Sequence, residues 1–110
     1  PAFCRQLRRL MTRAGFRVVA EAQDIPAAEA QLRAHRPDLA VVDLMLAEIN
    51  GLAGTARLKA LNPDLRVIVV SVQRTQLDLM RTAAAEAGAE AFVPKDDLTL
   101  ALVRSWMSES

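Results

Sequence analysis

The chain has 110 residues, 52% of them hydrophobic, and its 14 basic against 13 acidic side chains leave a formal net charge of +1. That length suits one compact domain, and so even a balance argues against nucleic acid or a charged membrane as its partner. The single cysteine, Cys4, has no mate for an intramolecular disulfide, and no apolar run has the length of a membrane span or the flanks of a signal peptide. The expectation is a cytoplasmic protein, and Pro1 in place of an initiator methionine reads as a processed or cropped start.

Residues 1–14 have Phe3, Leu7, Leu10 and Met11 at helical spacing, with Gly15 placed to end the helix. Residues 17–22 alternate apolar and charged side chains, which predicts a strand with Val19 and Ala20 on opposite faces. Asp24 is placed to cap a helix over residues 25–35, where Pro26 falls in the first turn and costs no amide partner. The pair Arg36-Pro37 stops that helix. Leu39-Ala40-Val41-Val42-Asp43-Leu44 is short and apolar, and predicts a parallel strand buried on both faces.

Gly51 opens a helix over 52–61, and Asn62-Pro63-Asp64 turns the chain. A strand over 66–71 follows, ending in Ser71. Thr75 with Asp78 three residues on has capping-box spacing for a helix over 76–87, closed by Gly88, and Ala83-Ala84-Ala85 suits close packing. The last elements are a strand over 91–93 and a helix over 98–107 capped by Asp97. Strand and helix alternate throughout, so the sheet is parallel with right-handed crossovers.

Parallel sheets bind ligands beyond the carboxyl ends of their strands. Asp43 closes one strand, Ser71 the next, and Lys95 follows Ala91-Phe92-Val93-Pro94. As neighbours, these strands would bring a carboxylate, a hydroxyl and an ammonium to one edge, a set suited to phosphoryl chemistry. Taken singly, each has an ordinary reading: a helix cap or solvated carboxylate, a strand-end hydroxyl, an exposed lysine. Phe92 alone is plain core packing. His35 is a surface residue at a helix end, where a cation is favourable, and Cys4 is a small apolar contact.

Four segments in order, Arg36-Pro37-Asp38-Leu39-Ala40-Val41-Val42-Asp43-Leu44, Asn50-Gly51-Leu52, Val69-Val70-Ser71 and Ala87-Gly88-Ala89-Glu90-Ala91-Phe92-Val93-Pro94-Lys95, resemble the receiver domain of bacterial two-component response regulators, of the chemotaxis-regulator type. The resemblance spans residues 1–110 and implies a flavodoxin-like three-layer α/β/α sandwich with parallel sheet order 2-1-3-4-5. In that order the chain would lack the first strand and the two acidic residues that follow it.

The resemblance further implies that Asp43 accepts a phosphoryl group from a sensor histidine kinase, that Lys95 pairs with the aspartate and the phosphoryl oxygens, and that Ser71 donates to a phosphoryl oxygen. Phe92 would be the switch aromatic. Mg²⁺ would be held by Asp43 and the backbone carbonyl of Met45. A homodimer through the fourth helix, fifth strand and fifth helix, and a helix-turn-helix output domain in the full-length protein, follow from the same likeness, with no nucleic acid bound by the receiver itself. Two other readings stay open: a phosphorylation-independent pseudo-receiver acting as an interaction module, and a flavodoxin-like or nucleotide-binding enzyme, which would need a glycine-rich loop after the first strand.

Overall fold

The computed structural model describes residues 2–22, 24–44, 51–72 and 76–107. Along them run α1 (Ala2–Arg13), α2 (Ile25–His35), β1 (Leu39–Asp43), α3 (Gly51–Leu61), β2 (Arg66–Ser71), α4 (Leu77–Glu86), β3 (Ala91–Pro94), a 3₁₀ turn (Lys95–Asp97) and α5 (Leu100–Met107). They form two compact units, one of residues 20–96 and the other of residues 1–19 with 97–110.

The larger unit is organised by β2, which pairs in parallel with β1 on one side and β3 on the other. Val67, Ile68, Val69 and Val70 are all fully buried, as a continuous apolar run requires of a strand covered on both faces. On one face, Val42, Val67, Val69 and Phe92 pack with Leu32 of α2, Leu58 of α3 and Ala84 of α4. Leu65 completes that cluster, and the close-packing alanine stretch delivers Ala84 to it, 1% exposed.

Two sequence expectations about strands need correction. No strand forms over 17–22. Alternation identifies a candidate face and supplies no ladder partner; in the 2-1-3-4-5 order this segment pairs only with the first strand, which is not among the described residues. For the same reason β1 lies at an edge of the three-stranded sheet. Its Leu39, Ala40 and Val41 are half-buried and only Val42 is buried, short of the two-sided burial expected.

The local punctuation follows simple chemistry. Asp24 Oδ1 accepts the Ala27 amide at 2.8 Å, satisfying a donor that the first turn of α2 leaves free. Asn62 accepts the Leu65 amide on its carbonyl and the Asp64 amide on its side chain, with Pro63 at the second turn position. Lys59 Nζ donates to the carbonyls of Pro63 and Leu65 at 2.6 and 2.8 Å, which holds the entry to β2. At the end of α4, Gly88 (φ +102°) donates to Ala85 O and Ala89 to Ala84 O, the paired bonds of a Schellman ending. The position before α4 is Gln76, with φ 56° and no side-chain cap bond; Thr75 lies outside the described residues.

At Gly54, α3 approaches α2 closely. A β-carbon there would collide with Ile25 Cδ1 and sit 2.6 Å from Cγ1, and Ile25 is itself 2% exposed. Gly54→Ala is therefore expected to destabilise by about 1–3 kcal/mol through overpacking, even though alanine in an open helix position would gain about 1 kcal/mol over glycine. Urea unfolding reads the sign, and a stabilised variant would show that Ile25 moves aside freely.

Arg66 and Glu90 tie the start of β2 to the turn before β3 by two parallel bonds of 2.7 Å each. The Arg66 hydrogen bonds, with help from the Arg66 and Lys59 charges and against a smaller effect of burial, hold the Glu90 carboxyl below its ordinary value of 4.5. A carboxyl lowered in the folded state stabilises above its unfolded value and loses that contribution as pH falls through the folded one. For this pair, its Arg66 side chain 19% and its Glu90 side chain 34% exposed, the amount is roughly 0.5–1 kcal/mol after solvent screening. Arg66→Met should thus lose stability at pH 7, and the gap to wild type should narrow as pH falls below the ordinary carboxyl value of 4.5.

The smaller unit joins α1 to α5. Gly15 (φ +103°) ends α1 with the same paired bonds, Gly15 to Thr12 O and Phe16 to Met11 O, and a β-carbon on it would rest 3.4 Å from Met107. Val103 and Trp106 of α5 are buried. The cap of α5 is Thr99, whose hydroxyl accepts the Leu102 amide at 3.1 Å. Asp97, expected there, instead ends the three-residue 3₁₀ turn, and Leu98 and Thr99 separate that turn from the helix.

Candidate functional site

β1, β2 and β3 run in one direction, so their carboxyl ends share an edge. The register places Asp43 level with Val70 and Ser71 level with Pro94. Asp43 thus closes β1, Ser71 closes β2, and Lys95 is the first residue after β3. β1 and β3 are not neighbours; with β2 between them their backbones stand about 10 Å apart. The four-carbon stem of Lys95 spans that gap, and Nζ donates to Asp43 Oδ2 at 2.7 Å.

The two side chains are 17% and 25% exposed. This pair is shielded enough for its attraction to exceed that of a surface pair, yet open enough for a reactant to reach the carboxylate. Ser71 is 2% exposed at the adjacent strand end. Phe92, level with Val69, is buried in the core cluster, as ordinary packing requires. Met45 lies outside the described residues.

The metal expectation can be tested on the donor set. Magnesium prefers about six oxygen ligands in an octahedron. Asp43 offers a carboxylate, one oxygen of which already accepts from Lys95. No three His, Cys, Asp or Glu side chains come together among the described residues. These residues therefore do not make a magnesium site on their own.

Sequence reasoning brought the carboxylate, the lysine and the serine to the right edge. It missed Thr55, a helical threonine buried to 0% exposure, and a lone threonine within a helix carries no pattern that would single it out. It also missed the turn-holding role of Lys59, which depends on two carbonyls gathered by the fold.

A parallel sheet with helices between its strands, and a polar site beyond their carboxyl ends, defines a domain of the flavodoxin-like α/β class. A LuxR-family two-component response regulator from Aurantimonas sp. SI85-9A1 superposes with a TM-score of 0.84 at 30% identity, over 99% of this chain and 77% of that one. Chemotaxis protein CheY of Bacillus subtilis is 32% identical over 95 residues, 86% of this chain and 78% of CheY. DNA-binding transcriptional activator DevR/DosR of Mycobacterium tuberculosis is 35% identical over 88 residues, 80% of this chain and 40% of its own length. The chain likewise spans 45% of a Pseudomonas aeruginosa relative that is 38% identical.

The sequence profile of the response regulator receiver domain matches residues 1–103. The chain belongs to that family. It is a signalling family, which sets aside the reading as a flavodoxin-like or nucleotide-binding enzyme. No described helix is long and apolar enough to cross a membrane.

Proposed function

We propose that residues 1–110 are the phosphoacceptor receiver of a two-component response regulator, with Asp43 as the acceptor and a sensor histidine kinase as donor. An Asp43 oxygen attacks phosphorus, the P–N bond to the kinase histidine breaks, and an acyl phosphate forms. The imidazole leaves and takes up a proton. A carboxylate approaching a phosphate dianion is repelled, so the rate depends on position and countercharge. Lys95 supplies the countercharge and holds the carboxylate in place; its 2.7 Å contact with Asp43 is the observation that carries the proposal. Ser71 donates to a phosphoryl oxygen once the group is present. The domain's chemistry is confined to this transfer and the later hydrolysis.

Phe92 is the switch aromatic in this reading, held inward when the Ser71 hydroxyl moves onto the phosphoryl group, and it is already buried in the core cluster. Output passes through α4, β3 and α5, where a homodimer forms. Leu79 on α4, 62% exposed, supports an apolar contact there. A helix-turn-helix output domain in the full-length protein fits the 40% share of DevR/DosR, a DNA-binding activator, that the chain spans. Magnesium, when bound, would be held by Asp43 and the backbone carbonyl of Met45 with further oxygen ligands, and would supply countercharge for the phosphoryl oxygens.

The test is the intact mass of the natural gene product before and after incubation with acetyl phosphate and Mg²⁺. Gain of one phosphoryl group supports the receiver. A complete, folded protein that gains none is a pseudo-receiver, working as an interaction module.

A further inference from the structure

The near-neutral total charge hides an uneven distribution. Residues 1–20 hold five arginines, Arg5, Arg8, Arg9, Arg13 and Arg17, with no lysine and no carboxylate. All five are exposed. On α1, positions 5, 9 and 13 follow the four-residue spacing that keeps side chains on one face, over a length of about 12 Å. Arg5, Arg9, Arg13 and Arg17 form no ion pair with any described residue, whereas Arg57 pairs with Glu29 and Arg66 with Glu90 in the other unit. Four cations with no countercharge among the described residues repel one another on one short segment.

We infer that the arginine face of α1, with the exposed Arg17 just beyond the helix, is a docking surface for the phosphate backbone of duplex DNA, bound without regard to sequence. The choice of arginine favours phosphate: its planar fork donates two parallel bonds to one phosphate, which lysine cannot do. The geometry favours a regular polyanion, since a row of cations matches a row of phosphates and each contact releases condensed counterions. An anionic bilayer is disfavoured because insertion needs a free apolar side, and that of α1 is taken: Leu7, Leu10 and Met11 are partly buried, and the helix packs on α5. This surface is independent of the Asp43 chemistry.

The test is fluorescence anisotropy of a labelled 20-bp duplex of arbitrary sequence against the natural gene product, and against the same protein cut after residue 110 if it folds by circular dichroism. The duplex is competed with poly-L-glutamate and with phosphatidylcholine/phosphatidylserine vesicles. Four phosphate contacts predict a log–log salt slope of about −3.6, or roughly 100-fold weaker binding at 200 mM than at 50 mM salt. Arg9→Glu/Arg13→Glu should lower the slope by about two contacts and weaken binding at least ~10-fold. Arg33→Glu/Arg81→Glu, an equal charge change on exposed residues of the other unit, should leave binding within about twofold. Equal loss in both variants would mean that net charge alone acts, and the surface assignment would fall. Binding to vesicles or poly-L-glutamate with none to the duplex would overturn the choice of partner.

Discussion

Asp43→Asn is expected to abolish phosphoryl uptake from acetyl phosphate and to leave the protein folded. The amide nitrogen is no nucleophile and the amide oxygen is a poor one, so the acceptor is lost with almost no change of shape. The fold has little reason to fail. Asparagine keeps an oxygen able to accept from Lys95, and a partly exposed lysine can turn to water. The stability change should be on the order of 1 kcal/mol, against about 5–15 kcal/mol for a domain. Intact mass reads the first result and thermal melting the second. An asparagine variant that still gains one phosphoryl group at the wild-type rate would place the acceptor elsewhere and remove the basis of the proposed function.

Lys95→Ala has the second largest effect. The carboxylate remains, and what is lost is the cation facing the charge that builds up during transfer. Loss of one well-placed donor typically slows such a step 10²–10³-fold. The initial rate of acyl phosphate formation at fixed acetyl phosphate and Mg²⁺ is the quantity to measure. The residue has a rival role as a clip between two strands, and the variants separate the two. Lys95→Met keeps the stem and loses the charge, so it should match alanine in rate while recovering the packing of the stem. If rate instead follows stability across the two variants, Lys95 is a structural tie.

Legibility varied with the range of the interactions involved. Features fixed within one turn of chain were readable: Asp24 on the Ala27 amide, Gly15 and Gly88 at positive φ, the Asn62-Pro63-Asp64 turn. So were the ends of β1, β2 and β3, because an apolar run broken by a polar residue marks its own end, and three parallel strands then bring Asp43, Ser71 and Lys95 to one edge. Features that need a partner distant in sequence were not readable. Residues 17–22 have a strand's alternation and no ladder, and β1 has an apolar core strand's composition with only Val42 buried. Near α5 the sequence pointed to Asp97 as the cap, but Asp97 closes the 3₁₀ turn and Thr99 caps the helix instead. Phe92 was read both as packing and as a switch, and its burial fits the first while leaving the second to experiment.

The crowding of Gly54 against Ile25 also governs which sequences this fold can reach. Enlarging position 54 is harmful while isoleucine stands at 25, and trimming position 25 opens a void while glycine stands at 54. Each change alone is a loss, whereas Ile25→Val with Gly54→Ala exchanges one volume for the other. The two positions, 29 residues apart, therefore act as one mutational unit with a coupling of about 0.5–3 kcal/mol. A lineage crosses from one pairing to the other only by passing through a less stable intermediate.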